Sequence, residues 1–143
     1  MRSVYKSGAV AAKELVMPSK QSSQLYTPQL DGNISEFMEK YDNFILDCDG
    51  VIYSGNSMLP NSEKTIELLR ERGKNLYFFT NTCTRTREMT QQKFKKCGFD
   101  ANLDEIFTST FITSQLIPKD WKVLSVGVRD MHTELVNQGV NAV

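Results

Sequence analysis

The 143-residue chain is poor in cysteine, in histidine and in net charge, and each shortage removes a class of function. Three cysteines, Cys48, Cys83 and Cys97, are too few and too widely spaced for a disulfide framework, which points to a reducing compartment. His132 is the sole histidine and no Cys-x-x-Cys pair occurs, so nothing suggests a zinc cluster. The balance of 17 basic side chains against 17 acidic ones argues against a grip on nucleic acid through bulk electrostatics. No apolar run exceeds four residues. A membrane-spanning helix needs ~20. No continuous apolar stretch follows the first basic residue, which argues against a secretory signal.

What is present is ordinary for a soluble globular protein, 40% hydrophobic and 24% charged, with length for one domain and a modest core. Residues 1–33 mix Ser, Gln, Lys and Pro with isolated apolar side chains and end in the turn signal Asp31-Gly32-Asn33. They read as a flexible N-terminal tail. Up to about Gln24 the tail sets Arg2, Lys6, Lys13 and Lys20 against one acid, Glu14. A plain extension of a cytoplasmic protein is the preferred reading of that composition, with a transit segment as the alternative.

From there the pattern alternates. Ile34 to Tyr41 suits a short helix, and Phe44-Ile45-Leu46 is an apolar run without polar alternation, the signature of a strand buried on both faces. Asn61 can cap a helix of about three turns that reaches Arg72, and Gly73 can take the left-handed position beyond it. Leu76 to Phe79 is a second strand, and Arg87 to Cys97 a helix closed by Gly98. A strand at Ile106 to Thr108, a helix from Phe111 to Ile117 broken by Pro118, a strand from Lys122 to Val126 and a helix from Asp130 to Gln138 continue the series. Such alternation predicts an α/β fold, a parallel sheet flanked by helices, with chemistry at the carboxyl ends of the strands.

Asp47 and Asp49 follow the first strand two residues apart, so in an extended chain both carboxylates face one crevice and Cys48 turns away. Two such charges repel unless a cation or a shared proton relieves them. Oxygen-only ligation suits magnesium, which keeps several waters and recruits a substrate phosphate. Gly50 permits a sharp turn after the pair. A helix-flanked calcium loop would require glutamate at its twelfth position, where Met58 stands. The second strand ends in Thr80 and Asn81, a hydroxyl and an amide just before a helix, suited to a phosphate cradle. Arg85 and Arg87 could add charge-assisted bonds but read as solvated first-turn residues or helpers. Lys93, Lys95 and Lys96 read as a solvated helix face. Cys48 reads as inert packing beside the acidic pair, and Tyr53 as packing in the segment after it.

Residues Phe44 to Gly55 and Phe78 to Arg87 resemble the first and second motifs of haloacid-dehalogenase-superfamily phosphatases, in particular the 4-nitrophenylphosphatase and phosphoglycolate phosphatase group. The likeness runs from about Thr27 to the end. It implies a Rossmann-like core at residues 34–117 and the start of a cap domain at 118–143. It also implies that Asp47 is the nucleophile that becomes an aspartyl-phosphate, and that Asp49 is the acid and base. By the same likeness Asp47 and the Asp49 main-chain carbonyl would ligate magnesium, Thr80 and Asn81 would hold the phosphoryl oxygens, and Val51 to Asn56, with Gly50, Tyr53 and Gly55, would form a hairpin flap. Relatives read Thr-Asn-Asn-Ser-Thr-Arg where this chain has Thr80-Asn81-Thr82-Cys83-Thr84-Arg85, so substrate contacts near 82 and 83 differ.

The resemblance further places a third-motif lysine, a fourth-motif acidic pair and two later core strands beyond Val143, and so implies a C-terminally truncated chain. The expected function is magnesium-dependent hydrolysis of small phosphorylated metabolites. The alternative is a catalytically defective module that forms a homodimer, or binds a partner chain, through the unpaired edge of its first strand. Neither nucleic acid nor membrane is expected as a partner.

Overall fold

The computed structural model describes residues 34–143; the tail expected at 1–33 lies outside the described residues. Residues 35–143 form one compact unit. Helix α1 (Ile34–Lys40) leads into strand β1 (Asn43–Asp47), a hairpin of β2 (Tyr53–Ser54) and β3 (Ser57–Met58), helix α2 (Ser62–Glu71), strand β4 (Asn75–Thr80) and helix α3 (Arg87–Cys97). A 3₁₀ turn (Leu103–Glu105), strand β5 (Ile106–Thr108), helix α4 (Ser109–Leu116), strand β6 (Lys122–Val123), helix α5 (Arg129–Asn137) and strand β7 (Asn141–Ala142) complete the order.

The chain adopts the α/β arrangement expected, a parallel sheet flanked by helices. The sheet runs β1-β4-β5, with Phe44 opposite Leu76, Asp47 opposite Phe79 and Thr80 opposite Thr108. This register carries the ends of all three strands to one edge. The helices begin and end as elementary rules require. Thr86 caps α3 by accepting the Met89 N–H at 3.2 Å, and Gly98, at φ 106°, closes it. Residues 118–143 build a separate parallel pair, β6 with β7, in which β6 stops at Val123 rather than Val126.

Two local expectations need correction. Asn61 precedes α2 but makes no side-chain cap bond. Its backbone sits in the left-handed region at φ 67°, and its carbonyl accepts from both the N–H and the hydroxyl of Thr65 at 2.9 Å. Strand β1 is also not buried on both faces. Phe44 and Leu46 pack against the core, whereas Ile45 is 68% exposed. The physical reason is one-sided cover among the described residues. Met38 of α1, Ile66 and Leu69 of α2 and Phe94 of α3 join Leu76, Phe78 and Ile106 in one cluster. The opposite face carries Tyr77, Phe79 and Phe107, half-buried, with the Phe79 and Phe107 rings stacked at 4.7 Å and Phe111 of α4 edge-on to Phe107.

The centre of the buried face is aromatic. Phe94 lies 4.6 Å from Phe99, 5.4 Å from Phe78 and 5.9 Å from Tyr53, ring centre to ring centre. Phe94→Ala should therefore cost about 3–5 kcal/mol, read as a lower urea midpoint with an unchanged slope, whereas Ile45→Thr should stay within about 0.5 kcal/mol.

Candidate active site

Strand β1 ends at Asp47, and the chain then winds tightly around one carbonyl. The oxygen of Cys48 accepts from the N–H groups of Val51, Ile52 and Tyr53 at 3.4, 2.9 and 3.2 Å. Gly50, at φ 84°, makes this turn feasible, and its N–H donates to the Tyr53 carbonyl at 2.8 Å. The Cys48 side chain is fully buried while Asp47 and Asp49 on either side are exposed, as the two-residue spacing predicts. Asp47 Oδ1 accepts the Cys48 N–H at 2.8 Å. Burial, reinforced by the negative charges of Asp47 and Asp49, pushes the Cys48 thiol up to about 12. It stays a protonated, inert group.

Strand β4 brings Thr80 alongside. Thr80 is buried, and its hydroxyl donates to Asp49 Oδ2 at 3.4 Å while accepting the Thr82 N–H at 3.3 Å. Asn81 is exposed at the same edge, and its carbonyl, with that of Thr82, accepts from the Ser109 hydroxyl at 3.2 and 2.9 Å. Ser109, which sequence reasoning missed, ties the Thr80–Asn81 loop to the end of β5. The hairpin of β2 and β3 turns at Gly55, φ 59°, and seats Tyr53 in the core at 2% exposure. The Tyr53 hydroxyl donates to Asp49 Oδ2 at 3.4 Å. Burial, with Cys48 and Asp49 close by, raises this phenol above its usual range, so it remains a donor.

The lysines on α3 do not behave as one solvated face. Lys93 turns inward, its ammonium 3.5 Å from Asp49 Oδ1 and 3.6 Å from the Tyr53 ring centre. The core-facing residues of α3 are Thr90, Phe94 and Cys97, and Lys93, next to Phe94, sits half-buried at their border. Arg87 is likewise no solvated first-turn residue. Its guanidinium donates to the Leu103 carbonyl at 3.0 Å and lies 3.8 Å from the Phe111 ring centre. The fully buried Glu134 of α5 accepts the Arg87 main-chain N–H at 3.0 Å and pairs with Arg87 Nε at 3.8 Å, an ion pair too long for a hydrogen bond. His132, the sole histidine, hydrogen-bonds Ser125 Oγ through Nδ1 at 2.7 Å.

Among the described residues no group of three or more His, Cys, Asp or Glu side chains converges to hold a metal ion. The strand end offers oxygen donors, the Asp47 carboxylate and main-chain oxygen at Asp49, with the neighbouring thiol neutral and buried. Such a set fits magnesium, which takes one or two carboxylates and retains water.

A parallel sheet with paired carboxylates where its first strand ends, and a hydroxyl and an amide where the next one ends, defines a Rossmann-like α/β core with its polar groups at the carboxyl edge. The profile of the haloacid dehalogenase-like hydrolases matches residues 44–141, and the chain belongs to that family. It is 36% identical to the chloroplastic phosphoglycolate phosphatase 1A of Arabidopsis thaliana over 114 residues, 76% of this chain and 31% of that protein. It is also 36% identical to the 4-nitrophenylphosphatase of Schizosaccharomyces pombe, covering 73% of this chain and 37% of that one. Among solved structures, the 4-nitrophenylphosphatase of Thermotoga maritima superposes with a TM-score of 0.66 at 29% identity, over 72% of this chain and 41% of its own. The chain thus spans about a third of the length of these curated relatives.

The buried Cys48 and the exposed Cys83 should separate under a thiol reagent in the native state at pH 8. Cys83 is expected to react at once and Cys48 only after unfolding, measured by mass spectrometry of alkylated peptides. Glu134→Leu strips the Arg87 guanidinium, itself only 17% exposed, of its charge partner. A loss of about 3–5 kcal/mol in denaturant unfolding is expected.

Proposed function

We propose that this chain carries the nucleophile and the acid and base of a magnesium-dependent phosphatase acting on small phosphate monoesters such as 4-nitrophenyl phosphate or phosphoglycolate. The observation that supports it most is the pair Asp47 and Asp49 at one strand end, with Asp49 engaged by Thr80 of the neighbouring strand. In this reading an Asp47 oxygen bonds to phosphorus as the ester P–O bond breaks, and Asp49 gives its proton to the leaving alcohol. Asp49 then takes a proton from water. The water oxygen attacks phosphorus, the aspartyl P–O bond breaks, and phosphate leaves with Asp47 restored. Asn81 is the exposed donor for phosphoryl oxygens, and Thr80 shares its hydroxyl with Asp49. Asp47 and the Asp49 carbonyl would hold magnesium, which would supply positive charge against the phosphoryl oxygens. Gly50, Tyr53 and Gly55 shape the hairpin that serves as the flap.

Among the described residues no helix is long and apolar enough to cross a membrane. The free cysteines Cys48, Cys83 and Cys97 support a reducing compartment, the cytoplasm in our reading. The chloroplastic relative supports an organelle as the alternative.

A second reading, association of two copies through β1, is favoured by one observation. Strand β1 is terminal in the sheet among the described residues, hydrogen-bonded there to β4 alone. Phosphate release from 4-nitrophenyl phosphate, with and without magnesium and beside Asp47→Asn, decides between them. The phosphatase reading expects magnesium-dependent turnover that falls at least ~10²-fold in Asp47→Asn. Indifference to both magnesium and Asp47 overturns it, and a dimer that forms with rising concentration in sedimentation equilibrium then supports association.

A further inference from the structure

We propose that Lys93 is a positioning residue for Asp49, its ammonium pinned on the Tyr53 ring so as to aim the Asp49 carboxylate into the crevice at the strand ends. The proposal rests on the phosphatase reading for its catalytic consequence.

The Asp49 side chain is 63% exposed, so packing does not hold its carboxylate. Contacts do. Oδ1 faces the Lys93 ammonium at 3.5 Å, and Oδ2 accepts from the hydroxyls of Tyr53 and Thr80, both at 3.4 Å. The hydroxyls constrain one oxygen and leave rotation about it open; the ammonium, on the other oxygen, closes that freedom. Exposed lysine pairs contribute little because the side chain wanders. Lys93 is different, at 12% exposure, because its ammonium lies 3.6 Å from the centre of a ring that is itself only 2% exposed. That ring is braced by Phe94, the residue next to Lys93 on α3, at 5.9 Å between centres. The helix, the ring and the carboxylate therefore form one rigid relay from the aromatic core to the acid and base.

The ammonium also answers an electrostatic need. Asp47 and Asp49 flank a single residue, and a cation on the outer carboxylate lowers their mutual repulsion without occupying Asp47. The role is positional: in the structure Lys93 meets Asp49 and Tyr53.

The test compares wild type with Lys93→Met, which keeps the length and removes the charge, and Lys93→Arg, which keeps the charge and can stack on the ring. Turnover of 4-nitrophenyl phosphate is measured in saturating magnesium, together with the ¹³C resonance of the Asp49 carboxyl carbon, assigned by its loss in Asp49→Asn. The expected result is a kcat lowered about tenfold to a hundredfold in Lys93→Met with KM within twofold, substantial recovery in Lys93→Arg, and an Asp49 resonance displaced only in the methionine variant. An Asp49 resonance unmoved in Lys93→Met overturns the proposal, and so does an active enzyme whose kcat ignores the change. Equal urea midpoints for the three proteins exclude a folding defect, and a Lys93→Met that unfolds hands the comparison to Lys93→Gln. If wild type releases no phosphate while the Asp49 resonance still moves, the phosphatase reading fails and the positioning contact stands.

Discussion

One carbonyl organises the site. The Cys48 oxygen gathers three successive N–H groups, and that turn, made feasible by the positive φ of Gly50, stops β1 and reverses the chain into the hairpin. The buried thiol between two exposed carboxylates is the same constraint seen from the side chains: alternation continues past the strand end, so one core residue anchors two charged ones. Replacing that turn with a looser one would scatter Asp47 from Asp49. Burial keeps the thiol protonated, so the anchor adds no third negative charge to the pair.

Around that turn the remaining elements act as buttresses. Strand β4 supplies the Thr80 hydroxyl, the hairpin supplies Tyr53, and α3 supplies Lys93, three groups from three elements on one carboxylate. Farther out, Glu134 reaches from α5 to the first N–H of α3 and to the Arg87 guanidinium, so the start of the helix that bears Lys93 is tied to the segment after β6. These links are short-range. They depend on the aromatic cluster of Phe78, Phe94 and Phe99 for their rigidity, because a lysine on a mobile helix could not hold a carboxylate.

The elements were largely legible because their signals are local. The Arg87–Cys97 helix and the Ile106–Thr108 strand carry their own punctuation, a closing glycine in the first case and a compact β-prone run in the second. The Asp47, Asp49, Thr80 and Asn81 constellation was legible because each pair stands at the end of an apolar run. Strand β1 misled because an apolar run reports side-chain type and not cover, and Ile45 finds no cover among the described residues. Asn61 misled for a related reason: a residue that often caps with its side chain can also serve through a left-handed backbone, and composition does not separate the two.

By itself the sequence determined the strand and helix alternation, the carboxylate pair after β1 and the hydroxyl and amide after β4, since these arise from hydrophobic period and turn chemistry within a few residues. Only the tertiary structure decided which charged side chains join them. Lys93 is 44 positions from Asp49, and Glu134 is 47 from Arg87. Nothing in the chain near either residue announces its partner, because the pairing is set by how α3 packs on β5 and α5 on α4 and not by any local propensity.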